Sequence, residues 1–238
     1  MTRKPHPTLI LSGGGDQADQ ICARLMAKHL PKSKRLLFVP IAIRPWLSAP
    51  AEQLTAAQLP HSFGEFWDWA QALYESAGVR IDMWTDLEER KFSELETYGA
   101  VYFSGGPTPS LAAEVQRTGF FPKLRRFVSR GGIYSGASSG AVMSGSDLRP
   151  WFRLRSGTPR RVQCDKGLGL VNLSFAVHHR PEKDRALARE ARALRCRILA
   201  LGDGSAVLIR GRHLTVTGEP ATLAKEDGTL EAVRIAMV

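Results

Sequence analysis

What this chain has little of narrows its chemistry first. It holds three cysteines, Cys22, Cys164 and Cys196, far apart and with no Cys-x-x-Cys pair. That pattern speaks against a disulfide framework or a cysteine zinc site and for reduced thiols. Long apolar runs are missing too: the first, Thr8 to Leu11, stops at Ser12-Gly13-Gly14-Gly15, too soon for a signal-peptide core or a membrane span. The expected location is the cytoplasm, with no membrane contact. Acidic residues are in deficit, 23 against 33 Lys and Arg, for a net charge of +10, which favours an acidic partner. The basic residues carry no interleaved aromatic stripe and no nucleic-acid signature, so nucleic acid is not expected as that partner. One basic stretch, Glu182 to Glu190, mixes signs at helical spacing and reads as a solvated helix face.

What is present is ordinary globular material. The 238 residues are 43% hydrophobic, enough for one large core, and no linker or repeat divides them, so a single domain over 1–238 is expected. Short apolar runs at Thr8 to Leu11, Leu36 to Ile43, Val79 to Trp84, Ala100 to Phe103 and Gly132 to Ser135 alternate with helical patterns at Gln17 to His29, Phe63 to Ala77, Ser110 to Val115 and Phe121 to Ser129. Strand-helix-strand alternation with near-continuous apolar strands predicts an α/β fold: a doubly wound, mainly parallel sheet with helices on both faces. The last third reads differently, as short strands at Leu173 to Val177, Ile198 to Leu201, Ala206 to Ile209, His213 to Thr217 and Leu230 to Ile235. A turn at Gly211-Arg212 makes two of these a hairpin. Antiparallel strands extending the sheet at one edge are expected there.

In an open α/β sheet, ligands bind beyond the carboxyl ends of the strands. Three small-residue turns follow strands here: Gly13-Gly14-Gly15, Ser104-Gly105-Gly106-Pro107 and Gly136-Ala137-Ser138-Ser139-Gly140. None is followed by the lysine of a phosphate loop, and the first lacks Gly-x-Gly-x-x-Gly spacing, so nucleotides and dinucleotides are disfavoured as cofactors. No cofactor is implied. No metal is implied either, since the one close histidine pair, His178-His179, is adjacent and would point apart on a strand.

The third turn fits Gly-x-Ser-x-Gly between a strand and a helix. There a serine occupies a sharp, strained turn, and small neighbours let its hydroxyl rise into the cleft. Ser138 is the candidate nucleophile; the bland alternative is a glycine turn whose serines cap a helix. A serine nucleophile needs a base and an acid to orient it. Of six histidines, only His178 and His179 come directly off an apolar strand, and strand alternation would point one into the cleft and the other away. For the acid, Asp203 ends another apolar run, with Asp147 and Asp16 as competitors.

These blocks together carry a family resemblance. Gly-Ala-Ser-Ser-Gly-Ala at 136–141, Tyr102-Phe103-Ser104-Gly105-Gly106-Pro107-Thr108 before it, Val177-His178-His179 after it and Leu201-Gly202-Asp203-Gly204-Ser205-Ala206 resemble, in this order, the dipeptidase E and cyanophycinase family of serine peptidases. That family shares its fold with class I glutamine amidotransferases. The resemblance implies a Ser-His-acid triad on a flavodoxin-like sheet. The family serine falls on Ser138. Its histidine falls on His178, with His179 at the aromatic position that follows; a shift of one residue would make His179 the base. The acid, glutamate in the family, falls on Asp203. The oxyanion hole would use N–H groups near Gly105 and Gly106 with that of Ser139; Pro107 has none to give.

The resemblance further implies cleavage after aspartyl residues in dipeptides, or at the β-linkage of the aspartate-arginine polymer cyanophycin, for which a strongly cationic surface would be an odd partner. A carboxylate-bearing substrate needs cations, and Arg149, Arg153 and Arg155 follow the elbow closely enough to supply them; a solvated basic segment is the alternative. The expected partner is therefore a small acidic peptide. Two other functions stay open: an amidotransferase-like hydrolase of another amide or ester, and a silent binding module of the same fold. A homodimer also stays open.

Overall fold

The computed structural model describes residues 6–48, 62–156 and 165–233. Cys164 and Ile235, named above, lie outside the described residues.

Burial on both sides is what the near-continuous apolar runs require, and the strands meet it by alternating between two cores. β1 (Thr8–Ser12), β2 (Leu36–Val39), β3 (Ile81–Met83), β4 (Ala100–Phe103) and β5 (Ile133–Ala137) pair in parallel. Leu9, Leu11, Leu37, Val39, Val101 and Phe103 enter one core, while Ile10, Leu36, Phe38, Ala100 and Tyr102 enter the other. The first face is covered by α5 (Thr108–Arg117), α6 (Phe120–Ser129) and α7 (Ser139–Ser144). The second is covered by α1 (Asp16–His29) and α3 (Phe63–Ser76). Helix α6 shows why: Phe120, Leu124, Phe127 and Val128 recur at helical spacing and all are buried. Helix α3 starts where Ser62 accepts a hydrogen bond from the Glu65 N–H at 3.1 Å.

The strand expected over Leu36 to Ile43 stops at Val39. Pro40 has no N–H for the ladder, and the chain turns through a 3-10 segment, Ile41–Ile43, into the short α2 (Arg44–Leu47). A second short helix, α4 (Phe92–Leu95), precedes β4.

The C-terminal strands divide between two sheets, which the sequence did not indicate. β8 (Ser205–Arg210) runs antiparallel to β1 and continues through the Gly211-Arg212 turn into β9 (His213–Gly218), giving a seven-stranded order β3-β2-β4-β5-β1-β8-β9. β6 (Ser174–Ala176), β7 (Ile198–Leu201), β10 (Ala221–Ala224) and β11 (Leu230–Val233) instead form a separate sheet, β11-β10-β7-β6. Its physical reason is a second sandwich. Phe175, Leu199 and Leu201 join the main core, and Ala176, Ile198 and Ala200 pack against Leu187 and Ala191 of α9 (Asp184–Leu194). The basic segment at Arg149 to Arg155 is helical, α8 (Arg149–Ser156).

Candidate active site

The elbow is held by what its glycines lack. A Cβ on Gly136 would sit 2.4 Å from the backbone of Gly140, and one on Gly140 would sit 2.2 Å from the Phe103 carbonyl. Strand β5 can therefore turn at once into α7 only with glycine at both places. Ser138, between them, is forced to φ 49° and ψ −110°, a conformation L-residues rarely adopt and one that stores strain at functional sites. Its N–H donates to the Ser12 carbonyl at 3.0 Å, tying the turn to the end of β1.

The second sheet brings the partners. β6 and β7 are parallel neighbours with Ala176 opposite Ala200, so His178 and Asp203, just past their carboxyl ends, emerge side by side. Ser138 Oγ lies 2.8 Å from His178 Nε2, and His178 Nδ1 lies 2.6 Å from Asp203 Oδ1. His178 also takes a positive φ, 53°, and its side chain stays about 44% exposed, open to a ligand.

The first glycine turn seats this pair. Gly13 N–H donates to the Ser205 carbonyl and Gly204 N–H to the Gly14 carbonyl, each at 2.9 Å. Gly14, at φ 121°, is so close to the imidazole that a Cβ would lie 2.9 Å from His178 Cε1 and 3.4 Å from Asp203 Oδ1. The second turn arrives from β4: a Cβ on Gly105 would be 3.4 Å from that of Ser138. Gly106 follows at φ 145° against Ala42. Ser139 opens α7 with its side chain fully buried and donating to the Ser104 carbonyl at 3.3 Å, so its hydroxyl faces away from the cleft.

The competing candidates are engaged elsewhere. His179 Nε2 lies 2.8 Å from Asp184 Oδ1, and the His179 side chain is about 8% exposed. Asp147 accepts three hydrogen bonds from the Arg149 guanidinium, at 2.5, 2.9 and 3.0 Å, and one from the Arg149 N–H at 2.9 Å. Asp16 is exposed in the first turn of α1.

The three arginines separate likewise. Arg149 is held by Asp147 and Arg153 reaches Glu190 at 3.4 Å. Arg155 packs over the Trp151 ring at 5.6 Å and lines a cavity of about 220 Å³ beside His178, with Trp151, Leu154, Val177 and Lys183. Trp151 and Lys183 did not emerge from the sequence. The Trp151 ring centre is 6.3 Å from that of His178, and its Nε1–H donates to Thr108 Oγ1 at 3.0 Å.

Beneath the elbow lies a half-buried carboxyl the sequence also passed over. Ser12 Oγ donates to Asp19 Oδ1 at 3.3 Å. Burial, opposed by that hydrogen bond and aided by Asp16, pushes the Asp19 carboxyl up to about 6. Burial pushes the neighbouring Cys22 thiol up as well.

A doubly wound α/β sheet whose serine stands on a strained strand-to-helix turn, with an imidazole and a carboxylate in line, defines a serine hydrolase by class. The chain belongs to peptidase family S51, which it matches over residues 8–217, and it is a serine peptidase. Among solved structures it is similar to a peptidase from an acI-B1 actinobacterium, at 18% identity and TM-score 0.70 over 98% of this chain and 96% of that one. It is also similar to a protein provisionally assigned as a peptidase E from Listeria monocytogenes EGD-e, at 18% identity and TM-score 0.63 over 90% of this chain and 99% of that one. At such identities the likeness shows the shared fold. No curated protein matches it in sequence. Among the described residues, no helix is long and apolar enough to cross a membrane.

Proposed function

We propose that Ser138, His178 and Asp203 form the catalytic triad, and that the enzyme hydrolyses small peptides with an aspartyl or isoaspartyl residue at the scissile bond. The observation that carries the reading is the hydrogen-bonded line from Ser138 Oγ through His178 to Asp203, at 2.8 and 2.6 Å, on a serine held at positive φ.

With Nδ1–H donating to Asp203, Nε2 is the free acceptor for the Ser138 proton. The oxygen attacks the carbonyl carbon, the proton passes to Nε2, and the imidazolium so formed is stabilised by the Asp203 carboxylate. N–H groups of the Gly105-Gly106 turn and of Ser139 receive the developing oxyanion, each such donor being worth roughly 10²–10³ in rate. His178 then protonates the leaving amine as the C–N bond breaks. Water, deprotonated by His178, attacks the acyl-serine ester and releases the acid product with Ser138 restored. For the substrate carboxylate, Arg155 and Lys183 at the cavity beside His178 are the supporting cations, whereas the charges of Arg149 and Arg153 are already matched.

The test is amino-acid release from Asp-X, β-Asp-X and neutral dipeptides by the wild type, Ser138→Ala, Asp203→Asn and Asp147→Asn. Hydrolysis of the aspartyl substrates is expected to fall by roughly 10³-fold or more in the first two variants and to persist in the third. Full activity in Asp203→Asn would remove that residue from the triad. Equal turnover of neutral and acidic peptides would remove the substrate assignment.

A further inference from the structure

A second cleft opens at the opposite end of the main sheet, at the amino ends of β1 and β5. It encloses about 950 Å³, within the size range of small-molecule sites. Thr8 lines it, while Ser12, four residues along the same strand, accepts the Ser138 N–H. At about 3.3 Å per residue the two sites stand roughly 13 Å apart along β1.

Its charge is one-sided. Lys34, Arg130 and Arg210 line it together with His6, His29 and His213, against the single carboxylate of Glu96. Glu96 reaches Arg130 at only 3.9 Å. Lys34 donates to the Thr97 carbonyl at 3.3 Å, and neither Lys34 nor Arg210 forms an ion pair among the described residues. Burial, then the charges of Arg210 and Lys28, hold His29 below the usual imidazole pKa. Phe92, Tyr98 and Phe127 give part of the remaining wall an aromatic character, beside Pro31, Ile133 and backbone glycines, with the Arg130 guanidinium 5.4 Å from the Phe92 ring.

We propose that this cleft binds a small organic anion, a carboxylate or phosphate carried on a flat apolar body, at a site separate from the peptide cleft. The cations take the anionic group through charge-assisted hydrogen bonds, and the rings take the body. Neither half of the cleft suffices alone, because exposed cations hold a bare ion weakly and the apolar wall is flanked by charge.

The experiment is calorimetric titration of the full chain carrying Ser138→Ala with phenyl phosphate and with phenylacetate. Inorganic phosphate and benzyl alcohol serve as the separated halves of the ligand. At least one aryl anion is expected to saturate with a Kd of about 1 mM or tighter. Both halves should bind more weakly, and Arg210→Gln should weaken the aryl anion about tenfold. His29, followed by NMR and assigned with His29→Gln, should titrate at higher pH once the anion is bound, since opposite charge favours the imidazolium. The Lys34→Gln and Arg210→Gln side chains lie at the surface, and circular dichroism checks their folding. Failure of both aryl anions to saturate, binding unchanged in both charge variants, or an unmoved His29 overturns the proposal. Phosphate binding as tightly as phenyl phosphate overturns the role of the rings.

Discussion

Gly14 lies directly against the imidazole of His178: a Cβ there would stand 2.9 Å from Cε1. The glycine triplet thus serves as a seat that holds ring and carboxylate in line with Ser138. Gly14→Ala must displace the ring or distort a backbone at φ 121°, at about 1–3 kcal/mol. We expect kcat to fall at least tenfold while the fold persists, because a displacement near 1 Å at a catalytic group can cost about 10²-fold. Steady-state kinetics beside a thermal melt decide it; unchanged kcat in a folded Gly14→Ala enzyme would remove Gly14 from the positioning role.

Two serines adjoin in the elbow, and the geometry separates their roles. Ser138 faces His178, whereas Ser139 is buried and donates to the Ser104 carbonyl. Ser139→Ala should cost about 1 kcal/mol of stability by losing that hydrogen bond. Its kcat should stay within a few-fold of wild type, since its N–H remains. Fluorophosphonate labelling mapped by mass spectrometry offers an independent check: label on Ser139 rather than Ser138 contradicts the assignment.

Arg155 is the arginine of its segment that lines the cavity beside His178. Arg155→Gln is expected to raise KM for an aspartyl dipeptide about tenfold and leave a neutral dipeptide within twofold, as loss of one charge-assisted contact predicts. Arg153→Gln serves as the contrast, its guanidinium facing Glu190 at 3.4 Å; it should lower stability more than it changes KM. Parallel KM increases for acidic and neutral peptides in Arg155→Gln would mean that Arg155 shapes the cavity without reading charge.

The carboxyl ends of strands were readable from the chain because each ends an apolar run: Ser138 after β5, His178 after β6, Asp203 after β7. Which sheet those strands join was not readable. β6 and β7 are buried on both faces, like the strands of the main sheet, so their apolar pattern is the same in either place. Nor could the chain show which arginine is occupied. Glu190 meets Arg153 only because α9 packs against α8, and Asp184 meets His179 only because that helix starts beside β6. Such pairings depend on tertiary approach, to which local periodicity is blind. Trp151 was hidden for the same reason: in sequence it is one aromatic in a basic run, and only the helix lays its ring near His178.

Asp19 gives the enzyme a pH dependence of stability with a definite sign. Its carboxyl, desolvated by burial, is raised from 3.8 to about 6. The folded state therefore binds its proton more tightly than the unfolded chain does, and stability falls as pH rises from about 4 to beyond 6. The full shift corresponds to an upper bound of about 3 kcal/mol. Asp19→Asn keeps an oxygen to accept from Ser12 and carries no charge, so it should be more stable than wild type near pH 7.5 and match it near pH 4. Urea unfolding of both proteins at the two pH values measures this directly, and equal slopes with pH would show that Asp19 ionises without cost to the fold. Because Ser12 also accepts the Ser138 N–H, the same variant tests whether this half-buried charge reaches the elbow: with the polar link preserved, its kcat near pH 7.5 should stay within a few-fold of wild type.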